Sequence, residues 1–390
     1  MSDFEQLQKE LDGLRDENLF RCLRQICSTQ GAVIRTADEP SQDKILFCSN
    51  NYLNLADDPR VIEAAIEAIR KYGFGAAASR LISGTMPPHT ELENEFARWT
   101  GKQSALYCSS GWSANQALLT ALPQKDDLVL MDHADHASIL DAVRCSKAEF
   151  RTYRTDQTDR LEKYLSNTAY RHKYIVTESV FSMDGNCADL AALVKLKNRH
   201  NAKLIVDEAH GLGCFGPSGA GLAEELGILD QVDILVAPLG KAAASSGALI
   251  ASQKVVIDYL INKARPFIYT TAPAPACASA ALAAIRIIRQ ESHRRSRLQD
   301  NASFLRNRLK KIGLNIGSST SQIIPVIIGN SEKTLIAAKE LETKGFFILA
   351  IRPPTVPKGA ARLRISVQSG HTQEQLENLC GAIEKSMPLF

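Results

Sequence analysis

Near the N-terminus, Phe4, Leu7, Leu11 and Leu14 recur at helical spacing among polar residues, which predicts an amphipathic helix over residues 1 to about 30. From Ile45 the pattern changes to short apolar runs that alternate with helical periods. Ser104–Cys108 is followed by a helix from Trp112, and Leu128–Met131 by a helix near Ser138–Val143. Tyr174–Thr177 is followed by a helix near Leu190–Arg199, and further runs lie at Lys203–Val206, Ile234–Ala237 and Ala248–Ala251. Alternation of this kind predicts an α/β domain with a mostly parallel sheet covered on both faces. A long helical stretch follows, from Ala276 to Ile312. Beyond it the pattern reads strand (Gln322–Ile328), helix (Ser331–Thr343), strand (Phe346–Ile351), strand (Arg362–Val367) and helix (Gln373–Ser386), a small α+β domain. The expected division is an N-terminal helical segment over 1–45, a large α/β domain over 46–290 and a small C-terminal domain over 291–390.

Composition narrows the function classes. The 390 residues suffice for more than one domain and a sizeable core. A net charge of +3, with both signs interspersed, leaves no footprint for nucleic acid or an anionic membrane surface. The basic run His293–Arg297 lies in a helical stretch and reads as a solvated face. No apolar stretch is long enough to cross a bilayer, and Met1–Glu17 lacks the apolar core of a signal peptide. The nine cysteines are scattered without a Cys-x-x-Cys pair, so neither a disulfide framework nor a zinc site is expected. Buried free thiols and a cytoplasmic location are the expectation.

Reactive residues gather where an open α/β sheet places its sites, at the carboxyl ends of strands. Leu106–Asn115 runs from strand through a small-residue turn at Gly111-Trp112 into a helix, whose N-terminus suits a phosphate. By itself that signal is weak. In Met131–Ser138, His133 and His136 with Asp132 and Asp135 leave three readings open: a metal site, an imidazole stacked on a planar cofactor, or a cap from Asp135 or Ser138 on the next helix. Leu204–Gly211 ends an apolar strand in Asp207, Glu208 and His210. A buried carboxylate there needs a cationic partner such as a protonated pyridine nitrogen. The rival, magnesium held by Asp207 and Glu208 of a nucleotide hydrolase, lacks an upstream phosphate loop. In Asp233–Gly247, Lys241 follows a buried strand among small residues, which would desolvate its amine and favour Schiff-base chemistry.

In this order the four segments resemble the fold-type-I pyridoxal-phosphate enzymes. Nearly the whole chain is similar to their α-oxoamine synthase family. The stretches that carry the resemblance are Ser49–Leu53, Ser79–Thr85 with His89 and Glu91–Glu93, Thr177–Gly185, Asp207–Gly211 and Phe267–Thr271. The resemblance implies that Lys241 carries pyridoxal phosphate as a Schiff base and that Asp207 pairs with the pyridine nitrogen. It implies that His136 stacks on the ring, that His210 and Ser182 lie near its phenolic oxygen, and that Gly111 and Trp112 hold the phosphate. It implies further that Thr270 and Thr271 reach the phosphate bound by a neighbouring subunit, hence a homodimer with the active site at the subunit interface. Arg364 would clamp an amino-acid carboxylate through a bidentate pair. Ala350–Pro357 is similar to the branch that joins L-alanine to a pimeloyl thioester, carried by coenzyme A or a carrier protein, in biotin biosynthesis. There Arg21, Asn50, Arg352 and Thr355 match substrate-contacting positions. Two other readings stay open: a member with different acyl or amino-acid specificity, and a degenerate member that serves as a scaffold or regulator. None of these readings involves a metal.

The chain departs from the family pattern beside the lysine. Pro238 stands where a threonine usually donates to the phosphate, Ala237, Ala244 and Ala248 replace glycines, and Asn51 and Asn54 alter the usual Asn-Asp-Tyr-Leu-Gly-Leu. A hydrogen bond to a charged group contributes roughly 1.5–3 kcal/mol, so its loss weakens the hold on a phosphate. Pro238→Thr is therefore expected to lower the cofactor dissociation constant by about tenfold, read by equilibrium dialysis. An unchanged constant would count against the assignment of this position to the phosphate.

Overall fold

The computed structural model describes residues 3–155 and 157–386. They form two compact units, one of residues 51–182 and 186–297, the other of residues 1–50, 183–185 and 298–390 as far as these are described.

The larger unit is built on a seven-stranded sheet in the order Ser104–Cys108, Ala248–Ser252, Ile234–Pro238, Lys203–Asp207, Lys173–Glu178, Leu128–Asp132, Glu149–Tyr153. Ala248–Ser252 is antiparallel to both neighbours, and the remaining pairs are parallel. The central strands are continuous apolar runs because both faces are covered, as the buried set Val129, Ile139, Val176, Ile205 and Ile250 shows. Polar residues appear only where the strands end. Asp132, Glu178 and Asp207 close three adjacent parallel strands, with Glu178 and Asp207 in register. The sheet thus delivers acidic groups to one edge.

The Ser79–Glu93 region fastens the first strand. The buried Arg80 guanidinium pairs with Glu93 at 2.9 Å and donates to the Tyr107 carbonyl at 3.2 Å. Glu93 in turn accepts the Tyr107 N–H at 2.8 Å. His89 accepts the Met86 N–H at Nδ1 and meets the Pro273 carbonyl at Nε2, so its neutral tautomer is fixed, and burial lowers its pKa. These distinctive residues hold the strand that leads to Gly111.

In the smaller unit Ile323–Gly329, Ala361–Ser366 and Leu349–Ile351 form an antiparallel sheet, and Val33–Thr36, Glu39–Leu46 and Phe346–Phe347 form another. Residues 183–185 belong here by contact. Asp184 pairs with Arg362, and the Gly185 carbonyl accepts the Thr320 and Ser321 N–H groups at 3.0 and 3.1 Å. Gly185 has φ 67°, and a Cβ there would lie 1.9 Å from the Ile323 carbonyl oxygen. Only glycine fits that position.

Several elements differ from the pattern-based expectation. The N-terminal helix is Asp3–Asp16: Asn18 turns left-handed at φ 57°, and the Leu19 and Phe20 N–H groups fold back onto the Leu14 carbonyl. The Ala276–Ile312 stretch breaks at Glu291 into Pro275–Gln290 and Ser292–Lys311, where Arg60 and Arg294 hold the Glu291 carboxylate. Glu149–Tyr153 carries too few apolar residues to be read as a strand because it lies at the sheet edge with two residues exposed. The expected strand Phe346–Ile351 is divided at Ile348 between two sheets.

Candidate active site

The Gly111 turn sits at the head of the helix Gly111–Ala121. Ser110 caps it by accepting the Ser113 N–H at 3.0 Å. The Gly111 and Trp112 N–H groups belong to the first turn, where no helical carbonyl reaches them, so they are placed to meet an anion. A Cβ at Gly111 would lie 2.9 Å from Pro238 Cγ. The Pro238 ring therefore lies against this turn, and it brings neither a hydroxyl nor an N–H to it.

Lys241 lies in the tight connection between Ile234–Pro238 and Ala248–Ser252. Leu239 N–H bonds to Gly247 O at 2.9 Å, and Ser245 N–H to Leu239 O at 3.0 Å. Ser245 Oγ donates to the Cys277 carbonyl at 2.7 Å, and Tyr107 Oη to Ser246 O at 2.8 Å. Ala242 and Ala243 are buried and Lys241 is half-buried. Ala244 adopts φ 48°, a conformation glycine takes without the steric cost borne by an L-residue.

Asp207 is buried, and each of its oxygens accepts a hydrogen bond. The Ala209 N–H reaches Oδ1 at 2.9 Å and Asn115 Nδ2 reaches Oδ2 at 3.0 Å. His136 is the N-cap of the helix Ala137–Arg144, its Nδ1 accepting the Ser138 N–H at 3.2 Å. The cap is thus the histidine itself, whereas Asp135 accepts the Asp132 and Glu178 N–H groups. The His136 ring stands edge-on to Trp112 with centroids 6.3 Å apart. It keeps an exposed face, yet it lies low enough for desolvation to be the main cause that lowers its pKa. Lys241 lowers it further and Asp207 opposes both, so the three groups share one electrostatic neighbourhood. His210 Nδ1 is 2.7 Å from Tyr52 Oη, both residues buried. Ser182 is also buried. Thr270 is half-buried, and Thr271 is exposed and bridged to Ser79.

Glu208 departs from its neighbour. Its carboxylate accepts Ser179 Oγ at 2.5 Å and the Leu222 and Ala223 N–H groups at 3.1 and 2.9 Å. Burial pushes its pKa up to about 7 against those donors. It anchors the loop of residues 211–223, where Gly211 and Gly221 leave its oxygens room. Among the described residues no group of three or more His, Cys, Asp and Glu side chains is placed to hold a metal ion. The cysteines are free thiols, but Cys22, Cys27 and Cys145 are exposed rather than buried.

In the smaller unit, Arg364 is buried on the strand Ala361–Ser366 and donates to Ser366 Oγ at 2.8 Å and Asn50 Oδ1 at 3.4 Å. Arg21 donates to Thr355 Oγ1 and the Pro353 carbonyl, each at 3.4 Å. Arg352 is tied to the Asn18 and Phe20 carbonyls, and burial together with the Arg21 charge lowers its pKa. Arg21, Arg352 and Thr355 form one group and Asn50 with Arg364 another. Sequence reasoning missed Asn115, Ser138 and Tyr52 as site residues. Asn115 and Ser138 lay in segments already noted, but a helical asparagine and a serine near a helix start carry no signal of what they face.

The sequence profile of the family described as aminotransferase class I and II matches residues 42–383. The 8-amino-7-oxononanoate synthase of Alkalilimnicola ehrlichii is 42% identical over 378 residues, covering 97% of this chain and 96% of that protein. Its namesake from Saccharophagus degradans is 39% identical over 388 residues, covering 99% and 98%. Serine palmitoyltransferase of S. paucimobilis, solved with PLP and myriocin bound, aligns with TM-score 0.93 at 30% identity over 99% of this chain and 98% of that one. The 8-amino-7-oxononanoate synthase of Francisella tularensis aligns with TM-score 0.77 at 31% identity over 88% and 98%.

Glu208 gives a test of stability. Its folded pKa of about 7 lies above the ordinary 4.5, so the folded state binds the proton more tightly within that window. The stability from Glu208 is complete below the lower value and declines as pH rises through the upper one. Glu208→Gln is expected to cost about 1–3 kcal/mol because one buried donor loses its acceptor. The wild-type advantage in denaturant titrations should shrink between pH 4.5 and about 7. An advantage that grows across this window would contradict the assignment.

Proposed function

The chain belongs to the aminotransferase class I and II family, and from that premise we propose that it is a pyridoxal-phosphate-dependent acyltransferase of the α-oxoamine synthase kind. The proposed reaction condenses L-alanine with a pimeloyl thioester, releases carbon dioxide and free thiol, and gives 8-amino-7-oxononanoate for biotin biosynthesis. The relatives of that name, similar over nearly the whole chain, support the substrate assignment. The observation that carries the chemistry is the buried Asp207 carboxylate at the end of its strand, met by the Ala209 N–H and Asn115.

The residues present fit pyridoxal phosphate. The buried Asp207 carboxylate, each oxygen accepting a hydrogen bond, suits a protonated ring nitrogen, the Gly111 turn offers N–H groups to a phosphate, and the His136 side chain is exposed. When bound, the cofactor supplies an electron sink for charge that develops at the amino acid's α-carbon. Lys241 is the proposed tether, and its free amine is the base that removes the α-proton. Asp207 keeps the ring nitrogen protonated. His136 fixes the plane of the ring, and His210 and Ser182 serve its phenolic oxygen. Arg364, with Asn50, holds the substrate carboxylate. Arg21, Arg352 and Thr355 serve the acyl substrate.

The working form is proposed to be a homodimer, with Thr270 and Thr271 serving the partner's phosphate. Phe74, Ile82 and Tyr269 stand 77%, 82% and 72% exposed, the kind of apolar surface a second copy would cover. No helix of the described residues is long and apolar enough to cross a membrane. A cytoplasmic location is part of the proposal.

The test is thiol release from pimeloyl-CoA by the purified protein. Release should require L-alanine, and Lys241→Ala should lower it by at least about 100-fold, the low end for loss of a positioned general base. Release that is independent of any amino acid, or unimpaired in Lys241→Ala, would overturn the reading. A preference for another acyl chain or amino acid would move the chain to a different branch of the family.

A further inference from the structure

Two side chains without a role so far, Asn115 and Ser138, join Asp207 to His136. Asn115 Nδ2 lies 3.0 Å from Asp207 Oδ2 and 3.0 Å from Ser138 Oγ. Ser138 Oγ lies 2.9 Å from His136 Nδ1, which also receives the Ser138 backbone N–H at 3.2 Å. Asn115, Ser138 and Asp207 are all buried, so water does not stand in for these partners.

The direction of every bond follows from what each atom can do. Asp207 Oδ2 is met by the Asn115 amino nitrogen, which can only donate. The same nitrogen meets Ser138 and donates its second hydrogen there. Ser138 Oγ then has its own proton for His136. A backbone N–H only donates, so His136 Nδ1 faces a donor from the main chain as well. A nitrogen met by two donors is an acceptor, and the proton of the neutral ring lies on Nε2.

We propose that Asn115 and Ser138 form a one-way hydrogen-bond relay that takes its direction from the Asp207 carboxylate and holds His136 as the neutral Nε2–H tautomer. His136 then presents a hydrogen-bond donor on the ring edge away from Ser138, suited to an oxygen that gains negative charge. It does not present a base there. Asn115 and Ser138 are positioning residues: they act through His136 and Asp207. The groups that touch the imidazole are Ser138 on its own segment and Trp112 on the Gly111–Ala121 helix, and the charged groups that act on it are Asp207 at its strand end and Lys241 in its loop. Lys241 opposes protonation and Asp207 favours it. The relay concerns the protein's own hydrogen bonds and goes beyond the reaction proposed above.

The test is the state of the His136 ring nitrogens in the full-length protein as purified, labelled with nitrogen-15 on histidine. Long-range nitrogen–proton spectra distinguish the tautomers, and the His136 signals are those lost in His136→Gln. The expected result at neutral pH is a pyridine-type Nδ1 and a pyrrole-type Nε2. Ser138→Ala removes a donor to the neutral ring, and Asn115→Leu frees the Ser138 oxygen to accept from a protonated one. Each should raise the His136 pKa by on the order of one unit, the size of a net hydrogen bond. Ser138→Thr should restore the wild-type value. A pyrrole-type Nδ1 of His136 in the wild-type protein would overturn the relay. An identical His136 pKa in wild type, Ser138→Ala and Asn115→Leu would overturn it as well. Because the readout is a ring nitrogen and not turnover, failure of the relay is distinct from failure of the proposed reaction.

Discussion

A carboxylate buried at the end of an apolar strand must be met by donors or by a positive charge, and Asp207 is such a group. Leu204, Ile205 and Val206 fix the strand in the middle of the sheet and leave Asp207 no choice of place. The Ala209 N–H and Asn115 satisfy one lone pair on each oxygen. Both donors are neutral, so a cation beside the carboxylate would still be favoured. The Gly111–Ala121 helix supplies both Asn115 and the N-terminal turn proposed for the phosphate. One helix thus sets the spacing between the turn and the Asn115 partner of Asp207.

The adjacent acid shows how much a single residue's step along the chain decides. Asp207 closes the strand, while Glu208, one residue on, has its own cluster of Ser179 and two backbone donors. Its pKa rises to about 7 because burial outweighs the donors. The two carboxylates resemble each other in sequence and differ in consequence: one faces the candidate site, the other holds the loop behind it.

The central strands were legible because a parallel strand buried on both faces is an unbroken apolar run, as at Lys203–Asp207 and Ile234–Pro238. Lys241, Asp207 and His136 could be proposed from sequence because reactive residues follow such strands. The edge strand Glu149–Tyr153 was hidden because exposure relaxes its pattern. The break at Glu291 was hidden because its cause, Arg60, lies far away in sequence. Asn115 was hidden for the same reason: its partner Asp207 is 92 positions away, and no local rule marks a helical asparagine that faces inward. Pro238 was visible in sequence as a departure from the family pattern, but its ring against Gly111 needed coordinates.

The central claim is that Lys241 is the residue that bonds to pyridoxal phosphate beside Asp207. Borohydride reduction of the protein incubated with the cofactor, followed by peptide mass mapping, tests it most directly. The account predicts a stable pyridoxyl phosphate adduct on the Lys241 peptide, formed at one cofactor per chain. A protein that takes up no cofactor, or an adduct confined to other lysines, would contradict it.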